Sequence, residues 1–196
     1  MAKATGSKRA SISSRTKARP RARTNGAGIF EGLGFGKANF APLSPVDFLW
    51  RTAAIHPRRT AIVHGETRFT YAEFLARARR LASALKNAGV KRGDVVAAML
   101  PNVPAMLEAH FAVPMLGAVL NTINTRLDAR TIGYILRHGE AKVLITDREY
   151  ASEVGPALAA LPKRPIVIDV DDPLYDGPGE RLSNIEYERF IAEGDP

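Results

Sequence analysis

The chain has 196 residues, enough for one core of ordinary size with a tail to spare, and its 45% hydrophobic and 24% charged content is that of a globular protein. The absence of cysteine excludes a disulfide framework, thiolate metal sites and thiol catalysis, and no apolar run reaches the about 18 residues that span a bilayer. The formal charge of +8 comes from residues 1–28, which hold eight basic side chains and no acid, while the remaining 20 basic and 20 acidic residues cancel.

Residues 1–40 lack hydrophobic periodicity and are rich in Ser, Ala, Arg and Gly, so they are expected to be a disordered basic tail. Three uses of that tail stay open: a solvated extension, loose contact with nucleic acid or an anionic surface, and the Arg- and Ser-rich composition of a transit peptide. The run Glu31-Gly-Leu-Gly-Phe-Gly-Lys37 is not a phosphate loop, because Glu31 stands where the first glycine is needed and Ala38 where Ser or Thr is needed. No apolar stretch follows the basic residues as in a secretory signal, which makes the cytoplasm the expected compartment.

Regular structure is expected from Pro42 onward. Ser44-Pro-Val-Asp47 supplies a cap, a proline at the first helical position and an acid in the first turn. The helix it opens has Phe48, Leu49, Ala53 and Ile55 as its apolar side, and His56-Pro57 ends it. Strands 60–64 and 67–70 flank Gly65-Glu66 as a hairpin. Thr70-Tyr-Ala-Glu73 is a capping box for a helix whose inner face is Phe74, Leu75, Ala78, Leu81, Ala82 and Leu85. Its basic residues Arg77, Arg79, Arg80 and Lys86 read as a solvated face, and Gly89 as the left-handed stop.

Asp94–Leu100 is a short apolar run of the kind buried on both faces of a sheet. A helix over about 103–116, a strand at 118–120, a helix from Asp128 to His138 closed by Gly139, and a strand at 142–146 follow. A helix over about 148–160 and a strand at 165–170 complete the alternation, which specifies parallel strands joined by helical crossovers. Residues 171–179 are a Pro/Gly/Asp loop, and Ser183-Asn-Ile-Glu186 reads as another capping box opening a last helix.

Ligands in open parallel sheets gather beyond the carboxyl ends of strands. Those ends carry Pro101-Asn102, Asn121 to Asn124, Thr146-Asp147 and Asp169 to Asp172. Asn121 and Asn124 are expected to bond local backbone rather than a substrate. Asp147 is expected to cap the element after it, and Asp169, Asp171 and Asp172 to form a solvated turn rather than a cation site. His56, His64, His110 and His138 sit on separate elements without metal-ligand spacing, and His110 is expected in the core. Gly117 is expected to permit close backbone approach at a helix end. No Gly-x-Ser-x-Gly elbow supports an acyl-serine route.

The order of Thr70-Tyr-Ala-Glu73, Gly93-Asp-Val-Val96, Leu100-Pro-Asn102, Gly117-Ala-Val-Leu120 and Asn121-Thr-Ile-Asn-Thr-Arg-Leu-Asp128 resembles the opening of adenylate-forming acyl-CoA synthetases. The last phrase is similar to the acyl-activating branch that handles short- to medium-chain, methylthio- or aromatic acids. The resemblance implies an α/β fold in which residues 41–196 are the first, incomplete lobe of the large AMP-binding domain. It also implies a reaction in which carboxylate, ATP and CoA give acyl-CoA, AMP and pyrophosphate, with Mg²⁺ at the phosphates. The family's Ser/Thr/Gly-rich phosphate loop, adenine-contacting segment, ribose-binding aspartate and lid lysine have no counterpart in these 196 residues. No catalytic, cofactor-binding or metal residue is therefore assigned, no cofactor is expected to bind this chain by itself, and it is expected to be inactive alone. The rival expectation is a small α/β module that contacts nucleic acid or an anionic surface through its basic tail.

Overall fold

The computed structural model describes residues 42–196, and the expectations for residues 1–40 lie outside them. In chain order the elements are α1 (Pro45–Ile55), the hairpin β1 (Thr60–His64) and β2 (Thr67–Thr70), then α2 (Tyr71–Asn87), β3 (Val95–Met99) and α3 (Pro104–Met115). There follow β4 (Val119–Thr122), α4 (Ala129–His138), β5 (Ala141–Asp147), α5 (Ala151–Ala159), β6 (Ile166–Val170) and α6 (Tyr187–Ala192). The expected helix over 148–160 begins instead as one 3₁₀ turn, Arg148–Tyr150, before α5. No helix among the described residues is long and apolar enough to cross a membrane.

Local sequence accounts for most element boundaries. At α1 the Ser44 hydroxyl accepts from the Val46 amide at 3.3 Å, while the Asp47 carboxylate accepts from the Ser44 amide at 3.0 Å. At α2 the Glu73 carboxylate takes the Thr70 amide at 2.7 Å and the Thr70 hydroxyl takes the Glu73 amide at 3.3 Å. That helix ends in a Schellman motif: the Val90 amide bonds the Leu85 carbonyl and the Gly89 amide that of Lys86, with Gly89 at φ +89°. At the end of α4 the left-handed residue is Glu140 (φ +50°), not Gly139. Gly139 sits in a tight space, since a Cβ there would lie 3.1 Å from the Ile135 carbonyl and 3.2 Å from Asn121 Nδ2.

β3–β6 form one wholly parallel sheet in the order β4-β3-β5-β6, and β1-β2 pair separately as the expected antiparallel hairpin. Registers run Val96↔Leu120, Ala98↔Ile145 and Ile145↔Ile168. Successive side chains point to opposite faces, so the apolar runs feed two cores. Val96, Ala98, Val143, Ile145 and Ile168 pack under α2, α3 and α6. Ala97, Met99, Leu144 and Val167 pack under α4 and α5. A third cluster of Leu49, Ile62, Phe74 and Ala78 holds α1 and the hairpin, with Phe74 edge-on to Phe111 at 5.3 Å.

Only part of the expected inner face of α1 is buried. Leu49 and Ala53, four residues apart, face inward, whereas Phe48 and Ile55 are exposed because α1 lies outermost on the hairpin cluster and presents one narrow stripe to it. Ser183 and Glu186 do not form a capping box. Glu186 is itself the cap of α6, accepting from the Glu188 and Arg189 amides at 2.9 Å each. The Ser183 hydroxyl instead donates to the Val167 carbonyl at 2.8 Å and accepts from the Ile185 amide at 3.0 Å. Long-range pairing to β6 takes the serine that the local pattern assigns to the helix.

Candidate functional site

The chain enters the sheet at β3, goes to one side for β4, and returns across it to β5. β3 and β5 thus bracket the point where successive connections diverge, and a doubly wound sheet opens a crevice at the carboxyl ends of such strands. The residues there are Leu100-Pro101-Asn102 from β3 and Thr146-Asp147 from β5.

Asp147 is fully buried. One carboxylate oxygen accepts the Glu149 amide at 3.0 Å, which confirms the capping role, here for the 3₁₀ turn. The other oxygen has no hydrogen-bond partner among the described residues, nor does the buried hydroxyl of Thr146, which alternation places on the opposite face of β5. Burial lifts the Asp147 carboxyl above its ordinary value, aided by the charges of Glu149 and Asp172 and opposed by backbone amides. Each of these two oxygens is a buried polar atom left without a partner at the carboxyl end of β5, an arrangement that is costly in the interior.

Of the three carboxylates at and just after the end of β6, Asp171 is exposed in the turn as expected, Asp169 is not, and each has a partner. Asp169 is fully buried and accepts the amides of Leu182 (3.0 Å) and Ser183 (2.7 Å), tying the returning loop to the strand. Asp171 pairs with Arg181. Asp172 lies 2.7 Å from His64 Nε2 and accepts the Leu174 amide at 3.0 Å, fastening the hairpin to the loop. Among the described residues no group of three or more His, Asp or Glu side chains could hold a metal ion.

Asn124 serves the backbone as expected, its side-chain oxygen accepting the Arg126 amide at 2.9 Å. Asn121 sits on β4 opposite Ala97. Gly117 has φ +67°, and a Cβ there would lie 3.1 Å from Arg92 Cγ. His110 is exposed rather than in the core, its Nδ1 lying 2.8 Å from the Met106 carbonyl. The polar residue that α3 buries is Glu108, two positions earlier.

Glu108 belongs to a cluster that the charge pattern hides. Arg77 is not on a solvated face: its Nε donates to Glu108 at 2.5 Å and its two terminal nitrogens to Glu188 at 2.9 and 2.6 Å. The Tyr187 hydroxyl donates to Glu108 at 2.5 Å. Burial works against the Arg77 charge, but the Glu188 and Glu108 hydrogen bonds outweigh it and hold the guanidinium above its usual value. Burial, then the Glu108 charge, pushes the Tyr187 phenol well up. Arg79 is also engaged, its guanidinium carbon 4.2 Å from the centre of the Trp50 ring. A glutamate inside the apolar run Ala105 to Ala109 is the one sequence signal that could have revealed the cluster.

A family model described as AMP-binding enzyme matches residues 49–189. The peroxisomal butyrate–CoA ligase of Arabidopsis thaliana is 44% identical over 166 residues, covering 82% of this chain and 29% of that protein. The peroxisomal benzoate–CoA ligase of the same plant is 40% identical over 173 residues, covering 85% of this chain and 29% of that protein. An anthranilate CoA ligase, solved with anthranoyl-AMP, superposes with a TM-score of 0.69 at 25% identity, over 76% of this chain and 28% of its own. The chain thus spans about three-tenths of the length of these relatives. A match over most of the described residues, on a sheet of this order, makes the chain a member of the AMP-binding enzyme family.

Proposed function

We propose that the chain is the amino-terminal part of an AMP-forming acyl-CoA synthetase, joining a short- to medium-chain or aromatic carboxylate to CoA with release of AMP and pyrophosphate. The observation that carries this reading is the family match across residues 49–189, which takes in β3, β5 and the crevice at their carboxyl ends. The ligases named above, for butyrate and benzoate, support the acid class. In this reading residues 41–196 supply scaffold and one wall of the acyl pocket. ATP, Mg²⁺ and CoA are held by segments beyond those described, and no step is assigned to a residue here.

The test joins these 196 residues to the remaining length of the butyrate–CoA ligase relative and measures acid-dependent pyrophosphate release. The fusion is expected to be active with butyrate or benzoate and the 196 residues alone to be inactive. ATP turnover by the chain alone would overturn the scaffold role, and a folded but inactive fusion would overturn the ligase reading. Cytoplasm is the proposed compartment; both plant relatives carry peroxisomal names, and imaging a tagged chain separates the two. The eight cations of residues 1–28 support a second reading, electrostatic contact with nucleic acid. It requires binding that weakens steeply with salt and is lost when those residues are deleted.

A further inference from the structure

A concavity lies at the rim of the sheet opposite the carboxyl ends of the strands. It has a volume of about 580 Å³, within the range of small-molecule sites, and sits at the amino ends of β5 and β6. Its floor is apolar, from Leu136, Leu161 and Ile166, and its rim carries Arg137, Lys163 and Arg164. Lys142 and Asp94 also border it but satisfy each other at 2.9 Å.

Charge decides the class of ligand. Arg137, Lys163 and Arg164 have no carboxylate partner among the described residues, although Arg164 gives one N–H to the Leu182 carbonyl at 2.6 Å. Glu140 is the single unpaired acid on the rim. The carboxyl ends of α4 and α5 also abut the cavity and contribute about half a negative charge each. Three cations against these terms leave a surplus of roughly one positive charge. A surplus of that size suits a monoanion, and a leucine- and isoleucine-lined floor suits an apolar body rather than a bare phosphate.

We propose that this cavity binds an amphipathic monocarboxylate, its chain or ring on Leu136, Leu161 and Ile166 and its carboxylate between Arg137 and Lys163. It is a second carboxylate site, separated from the crevice by the length of the strands. It requires no ATP turnover, so it stands or falls independently of the ligase reading.

The test uses the full chain with octanoate as probe. Acylation of the Lys163 amine by an excess of amine-reactive reagent is followed by peptide mass analysis, with exposed Lys86, on α2, as the internal reference. Octanoate is expected to slow modification of Lys163 and leave Lys86 unchanged, and inorganic phosphate at equal concentration to protect neither. Arg137→Glu is expected to weaken the protection about tenfold, the size of one charge-assisted hydrogen bond. Arg137→Gln, a milder change at the same exposed position, is expected to act in the same direction. No protection by octanoate, equal protection by phosphate, or protection that survives both variants would each overturn the proposal.

Discussion

Removing Arg77 is predicted to destabilise the protein more than removing the carboxylate it pairs with, and the two changes together less than the first alone. Glu108 is fully buried, and among the described residues its charge is met by Arg77 and the Tyr187 hydroxyl alone. Arg77→Met would strand that charge with a single hydrogen bond, a change that costs about 3–5 kcal/mol in comparable sites. Glu108→Leu is milder, because Arg77 keeps Glu188 at 2.6 Å and retains 14% exposure, while Tyr187 loses one acceptor. That loss is worth about 1–3 kcal/mol. The pair Arg77→Met with Glu108→Leu removes the stranded charge and should recover about 2 kcal/mol relative to Arg77→Met. Urea unfolding at pH 7, with a slope of about 2 kcal/mol per molar, would show this as a midpoint difference of about 1 M. A double variant as unstable as the sum of the singles would refute the reasoning.

Asp147→Asn keeps an oxygen for the Glu149 amide and removes a buried charge. Burial holds the Asp147 carboxyl above its unfolded value, so the folded state binds more protons and stability falls as pH rises through that interval. The variant should be more stable than the parent at pH 7 and converge with it below about pH 3, where the parent carboxyl is protonated in both states. Urea midpoints at the two pH values check this, and a gap that widens on acidification contradicts it. Thr70→Ala removes the hydroxyl that caps α2 and should cost about 1 kcal/mol in thermal melts, while exposed Thr67→Ala should stay within about 0.5 kcal/mol. Gly194→Ala would drive a Cβ into the Arg80 carbonyl, lifting the end of α6 off α2 at a cost of about 1–3 kcal/mol. Faster tryptic cleavage at Arg189 would report it, and parental resistance would show that the close approach is dispensable.

Features that act within a few residues were legible in the sequence. Two capping boxes, the Gly65-Glu66 hairpin, the Gly89 stop and the alternation of apolar runs with helices specify α1 to β6 with small errors at the ends. Features that depend on distant partners were not. Arg77 reads as one more cation on a basic helix until Glu108 and Glu188, 31 and 111 residues away, are brought to it. Ser183 reads as a cap until β6 takes its hydroxyl, and Asp169 as a loop acid until residues 182 and 183 fold back on it. The candidate site shares that split. The carboxyl ends of the strands could be named in advance, but the unpartnered atoms of Thr146 and Asp147 emerge only from three-dimensional packing.

Ala97 and Ala98 stand next to each other in β3, yet one belongs to the core under α4 and α5 and the other to the core under α2, α3 and α6. Their small size lets a helical layer settle closely on each side of the central strand. Enlarging one of them is therefore a matter for its own layer to accommodate, with only backbone shared between the two. Along this strand, immediate neighbours in the gene are free to diverge independently, and the residues that must change together are the ones stacked above or below the sheet.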